Sequence, residues 1–114
     1  MVLVKLAAAL ICFQGQCYPA LIGNQTPVGE YELFNRIVIS PGYGGDILQF
    51  HEDEKQTYAI HRIWLLRPQE HRQERIKDPD PKKHIITHGC INVEPEVYEK
   101  LKSCCSNDHL SIVP

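Results

Sequence analysis

Long apolar runs are what this 114-residue chain most plainly lacks: no segment approaches the roughly 20 residues that cross a bilayer as a helix. An excess of charge is missing too. Twelve Lys and Arg face 14 Asp and Glu, for a formal net charge of −2. The bulk electrostatics therefore attract neither nucleic acid nor anionic lipid, and no nucleic-acid partner is expected. No internal repeat and no low-complexity tract is present. Cys-x-x-Cys pairs are also absent, so no metal and no cofactor is expected. What remains is 43% hydrophobic and 23% charged, an ordinary globular balance that argues against disorder. One domain over 1–114 is the expectation, long enough to bury a core of its own.

Met1 to Phe13 comes nearest to a targeting segment. One cation, Lys5, followed by apolar Leu6 to Phe13 loosely imitates a signal-peptide core. No small-x-small cleavage site follows and the apolar character continues through Cys12 to Tyr18, so the segment reads as the first strand. The five cysteines are an odd number, which leaves at least one thiol free or paired between chains. A hairpin loop at Gln14-Gly15 would set Cys12 opposite Cys17 in a non-hydrogen-bonded pair. A cross-strand disulfide is feasible there and would indicate an oxidising compartment. Two small strand residues without a bond explain the spacing equally well. Cys104 and Cys105 are adjacent; bonding them would strain the backbone, so two separate thiols are expected.

The first half reads as short strands: Val2 to Cys12, Gln16 to Ile22, Gly29 to Phe34 and Ile37 to Ser40, punctuated by Gly23-Asn24, Thr26-Pro27 and Pro41-Gly42. Ile47 to Phe50 is a short strand or a turn of helix, and Thr57 to Leu66 is the strongest strand candidate. Arg67 to Lys77 is dense in charge and begins with Pro68 at a first helical position, so a solvated helix or an ordered loop is expected. His84 to Ile86 returns to a strand. Pro95 to Cys104 reads as a helix burying Val97, Tyr98 and Leu101, and Leu110 to Val113 as a last strand. The expected fold class is a mainly β, compact single domain, of mixed sheets or a sandwich, with one or two short helices.

The chemistry converges on Thr87-His88-Gly89-Cys90-Ile91-Asn92. A lone cysteine is commonly a small buried hydrophobe. Here His61, embedded in the apolar Tyr58-Ala59-Ile60-His61, needs a partner, and a histidine is what turns a thiol into a nucleophile. A glycine before a cysteine at a turn frees backbone N–H groups to hold a developing oxyanion.

These residues resemble a known family. The L,D-transpeptidases (the YkuD-type domain) carry a histidine, a spacer, then Ser or Thr followed by His-Gly-Cys, an apolar residue and Asn or Arg. Thr87 to Asn92 matches that terminal block throughout. Thr26-Pro27-Val28-Gly29-Glu30-Tyr31 is similar to the family's Thr-Pro-x-Gly-plus-aromatic block, and Tyr58-Ala59-Ile60-His61 to its first-histidine strand. The three blocks occur in the family's order. The resemblance implies that Cys90 attacks a peptidoglycan stem peptide and expels its terminal D-residue, after which the amine of a neighbouring stem, or of a lipoprotein acceptor, resolves the thioester. It implies His61 as general base, His88 in substrate positioning or oxyanion support, and the N–H groups of Gly89 and Cys90 as the oxyanion hole. Thr87, Asn92, Arg62, Trp64 and Tyr43 are the candidate substrate contacts. It also implies a bacterial periplasm or envelope location, although no export signal is evident in this chain, and a monomer is expected.

Two departures stand out. Arg62 replaces the family's usual glycine after the first histidine. Cys90 also follows His61 by 29 positions and His71 by 19, and the shorter interval is nearer the family's own. His71 lies in a charged stretch, so His61 is favoured, with an insertion at about 67–81 accounting for the distance. Arg67, Arg72 and Arg75 of that insertion, with Arg62, are candidates for binding substrate carboxylates; an ordinary charged surface explains them as well. Two further functions stay open: an L,D-carboxypeptidase or endopeptidase that uses water as acceptor, and a non-catalytic peptidoglycan-binding module.

Overall fold

The computed structural model describes residues 1–114. Eleven strands form three sheets. In the first, β1 (Val2–Lys5) is central, flanked on one side by β2 (Leu10–Phe13) and β3 (Gln16–Pro19). On the other side it pairs in parallel with β11 (His109–Val113), which pairs with β5 (Gly29–Glu32). The second sheet runs β10 (Ile91–Val93), β8 (Thr57–Arg62), β7 (Asp46–Glu52), β6 (Phe34–Ile37). A third, two-stranded parallel sheet joins β4 (Ile22–Gly23) to β9 (Ile85–Thr87). The architecture is mainly β, as the pattern of short strands and turns predicts.

One core of 20 buried residues serves both large sheets. Val2, Val4 and Ile11 enter it from the first, Leu48, Ile60 and Ile91 from the second. Helix α2 (Pro95–Cys105) closes it with Val97, Tyr98, Leu101 and Cys105, a spacing of three to four residues that puts all four on one helical face. A satellite cluster of Leu21, Ile63 and Ile76 lies apart from it.

Several expectations are refined or corrected, among them the strand at Ile37 to Ser40, which the structure has at Phe34–Ile37. Val2 to Cys12 is a hairpin and not one strand: Ala9 adopts φ 53°, its N–H donates to Leu6 O at 3.1 Å, and the chain reverses into β2. A run of alanines carries no period to reveal such a turn. The charged segment, expected as a solvated helix or an ordered loop, is an ordered segment with two short helical turns and is not solvated throughout. A single 3₁₀ turn at Pro68–Glu70 is separated from the four-residue α1 (Arg72–Arg75) by His71 at φ 53°, ψ 40°, and Ile76, 1% exposed, pins it to the satellite cluster. Cys104 and Cys105 are joined in a disulfide in the last turn of α2, where the chain is leaving the helix. Of the two readings left open for Cys12 and Cys17, the structure has the cross-strand disulfide, in the register the hairpin sets.

The register of the second sheet builds the site. In the parallel β8–β10 pair, Ile91 lies beside Ile60 and Asn92 beside His61. Alternation along each strand sends the isoleucines into the core and the polar pair to the opposite face. Cys90 stands at the mouth of β10, immediately before this pair.

Candidate active site

The turn that delivers Cys90 is held by side chains from three directions. Gln56 Nε2 donates to His88 O at 2.9 Å, Thr26 Oγ1 to Gly89 O at 3.0 Å, and Thr87 Oγ1 to Cys90 O at 2.6 Å. Gly89 has φ 135°, a left-handed-side conformation open to glycine, and a Cβ there would stand 2.6 Å from the Tyr58 ring. Gly23 lets β4 lie against the same turn, since a Cβ on it would come within 2.8 Å of Gly89 N. Buried Thr26 accepts from Gly23 N–H at 3.0 Å while donating to Gly89 O. The weakest of the three sequence blocks is thus a strut for the strongest.

The three carbonyls are taken by these side chains, and the Cys90 N–H has no acceptor within the protein. The Gly89 N–H, expected beside it as an oxyanion donor, is taken by Thr87 Oγ1 at 3.1 Å. The turn therefore offers the Cys90 donor, and the Gly89 donor only if Thr87 yields it.

His61 is 3% exposed. Its Nδ1 lies 2.7 Å from Arg62 O, a pure acceptor, so Nδ1 carries the proton and Nε2 a lone pair. Asn92 Nδ2 meets that lone pair at 3.3 Å, and the Tyr43 ring packs edge-on at 4.7 Å. Burial, together with the charges of Arg72 and Arg62, pulls the His61 pKa down to about 4 despite the opposing bond to Arg62 O. Burial also pushes the Cys90 thiol up, against a hydrogen bond from the Ala59 backbone and the Arg72 charge. Cys90 Sγ lies 3.7 Å from Thr57 O and is the chain's free cysteine. The resting pair is a neutral thiol and a neutral imidazole.

Both groups line a cleft of about 410 Å³, with Tyr43, Trp64, Thr87, His88, Asn92 and Gln56 among its other walls. Trp64 stacks edge-on with Tyr43 at 4.9 Å. From the charged segment, Arg67, Glu70 and Arg72 face the cleft, and Arg67 makes no ion pair. The segment therefore forms one wall of the site.

Several candidates lie elsewhere. Arg62 is not in the cleft. Its guanidinium binds Asp46 at 2.9 Å and Glu99 at 2.6 Å and lies 4.2 Å over the Tyr98 ring, committed to the α2 interface. Asp46, which burial alone would raise, is pulled to about 2 by bonds from Asn35, Lys102 and Arg62. Arg75 donates to Lys83 O at 2.7 Å. His71 is exposed and pairs with Glu74 outside the cleft. His84 and His88 stand four apart, but both His84 ring nitrogens face carbonyls, those of Ala20 at 3.0 Å and Asp78 at 2.7 Å. The roles of Gln56 and Glu70 escaped the sequence reading, since one glutamine and one glutamate in polar stretches carry no pattern.

No family profile and no curated protein matches the sequence. Solved structures do match. An L,D-transpeptidase from Stackebrandtia nassauensis is 16% identical, with a TM-score of 0.57 over 99% of this chain and 54% of its own. One from Xylanimonas cellulosilytica is 14% identical, with a TM-score of 0.62 over 98% and 59%. L,D-transpeptidase 1 of Mycobacterium tuberculosis is 14% identical, with a TM-score of 0.55 over 99% and 58%. This chain has the L,D-transpeptidase fold. It spans little more than half the length of those chains, and at such identities the likeness concerns the fold. Within it, the terminal block and the first-histidine strand are the two elements whose register pairs Asn92 with His61.

Proposed function

We propose that the cleft carries out cysteine-dependent acyl transfer on peptidoglycan stem peptides, the reaction of an L,D-transpeptidase. One observation carries the reading: the free cysteine shares a cleft with a buried histidine held as a neutral base, its Nε2 lone pair on the Asn92 side. As Sγ attacks the acyl carbon, its proton passes to His61 Nε2 in place of the 3.3 Å contact from Asn92 Nδ2, and the imidazolium is supported by the bond from Nδ1–H to Arg62 O. The oxyanion forms against the Cys90 N–H. The C–N bond to the terminal D-residue then breaks, with His61 returning the proton to the leaving amine. An acceptor amine on a neighbouring stem attacks the thioester, gives its proton to His61 and leaves an amide bond, restoring the thiol.

Two disulfides in a chain of this size support an oxidising compartment, in keeping with an envelope or periplasmic protein. No helix is long and apolar enough to cross a membrane.

The test is intact mass after brief exposure to a carbapenem, a strained acyl donor. A single adduct on the wild type, absent from Cys90→Ala, is expected. No adduct on a protein whose thiol is shown to be reduced would overturn the reading. A tetrapeptide stem incubated with and without an acceptor amine then identifies the acceptor. A cross-linked product establishes the amine, whereas tripeptide alone in both makes water the acceptor.

A further inference from the structure

We infer that Arg72 is a positioning residue: its guanidinium fixes which end of the Asn92 amide faces His61, and so keeps Nε2 of the base unprotonated. The inference rests on the reading of His61 as base for Cys90.

Arg72 reaches the site from α1, in the segment that separates the two sequence blocks. Its side chain is only 10% exposed amid charged neighbours. Nε binds Glu70 Oε1 at 3.0 Å, and Nη1 binds Asn92 Oδ1 at 2.8 Å. Asn92 is fully buried, so its amide exchanges neither end with bulk water. A guanidinium has donors only. The atom facing it must therefore be the amide oxygen, which also receives Trp64 N–H at 3.3 Å. The amide nitrogen is left facing His61 Nε2, and an N–H donor there requires an unprotonated Nε2. Arg62 O enforces the same tautomer from the other side of the ring.

Without Arg72, the long bond from Trp64 N–H is the remaining hold on Oδ1. A half-turn of the amide would present Oδ1 to Nε2, an acceptor where a donor stood. With Arg62 O on the other nitrogen, the ring would then face two acceptors, which the imidazolium satisfies and the neutral form does not. The charges around the ring give the same sign. Arg72 and Arg62 both disfavour its protonation, Arg62 being offset by Asp46 from β7 and Glu99 from α2. Tyr43 and the Cys90 thiol, both raised, stay neutral beside it, and Glu70 is paired with Arg72 itself. Losing Arg72 therefore raises the proton affinity of His61, and a protonated base cannot take the Cys90 proton.

The test is ring ¹⁵N NMR of His61 against pH in wild type, Arg72→Gln and Arg72→Lys, alongside carbapenem acylation rates at pH 5.5 and 8. The wild type should show the Nδ1–H tautomer and titrate well below an ordinary histidine. Arg72→Gln should bind the proton at least about tenfold more tightly, a shift of about one unit from about 4, and so lose at least about a fifth more acylation rate at pH 5.5 than at pH 8. Arg72→Lys, still a donor and a cation, should restore the low titration and most of the pH profile. A folded Arg72→Gln protein with unchanged tautomer and titration overturns the inference. If that variant does not fold, the wild type decides: a His61 ring that carries its proton on Nε2, or that titrates as an ordinary histidine, overturns it. Wild-type protein that titrates as described yet forms no adduct would leave the positioning intact and sink the acyl-transfer reading. Robust acylation with a His61 indifferent to Arg72 would do the reverse.

Discussion

At the scale of single residues, the contrast between His61 and His71 turns on burial rather than on spacing in the sequence. His61 is enclosed, tautomerically fixed, beside Asn92 in the sheet register and in one cleft with Cys90, while His71 is in solvent on a left-handed residue between two short helical turns. His61→Ala should cost the acyl transfer roughly 10²-fold or more, the usual worth of a positioned base, whereas His71→Ala should stay near wild type. The reverse order in carbapenem acylation rates would move the base into the inserted segment. Cys90 and His61 were legible because their types and their neighbours are chemical signals in themselves. Arg62 was misread for a physical reason. A guanidinium following a catalytic-looking histidine resembles a substrate clamp, but consecutive strand residues point to opposite faces, and Arg62 goes to Tyr98, Asp46 and Glu99 beneath α2.

At the scale of elements, the Cys90 turn is determined by partners outside itself. Thr26 joins Gly23 N–H to Gly89 O while almost fully buried. Thr26→Val keeps the shape and removes both bonds, so it should destabilise the fold by about 1–3 kcal/mol, the range for a buried group left unsatisfied. Acylation should slow beyond what that loss alone explains, because the turn carries Cys90. Denaturant midpoints alongside acylation rates of the folded protein separate the two effects. An unchanged rate would mean that Gln56 and Thr87 suffice to hold the turn. The helix α2 was readable from its periodicity and the strand β8 from its apolar run, although β8 stops at Arg62 and not at Leu66. The inserted segment was not, since its one anchoring residue, Ile76, is an isolated apolar side chain without a period around it. Ile76→Ala should cost about 2 kcal/mol or more and, by loosening the cleft wall, expose Arg67 to Lys77 to protease ahead of the sheets. Cleavage no faster than in wild type would show that the polar contacts alone secure the wall.

At the scale of the whole molecule, burying a base beside two arginines makes stability depend on pH. His61 has its folded pKa lowered to about 4 from an ordinary 6.5. Between those values the unfolded chain binds a proton there that the folded chain does not, so stability rises with pH across that window. The contribution is fully present above about pH 6.5, declines as pH falls, and is lost by about pH 4. A shift of that size corresponds to on the order of 3 kcal/mol. Asp46 adds a second loss lower down: its carboxylate, held at about 2 against an ordinary 3.8, stabilises the fold above the ordinary value and ceases to do so as pH falls through about 2. Urea unfolding at pH 7.5 and pH 5 should therefore show a clear drop in the wild type. The same drop should be much reduced in His61→Gln, which keeps a polar side chain near Arg62 O but has no proton to bind. Equal drops in both proteins would place the acid sensitivity in other groups and remove the support that a neutral, buried His61 gives to the proposed base.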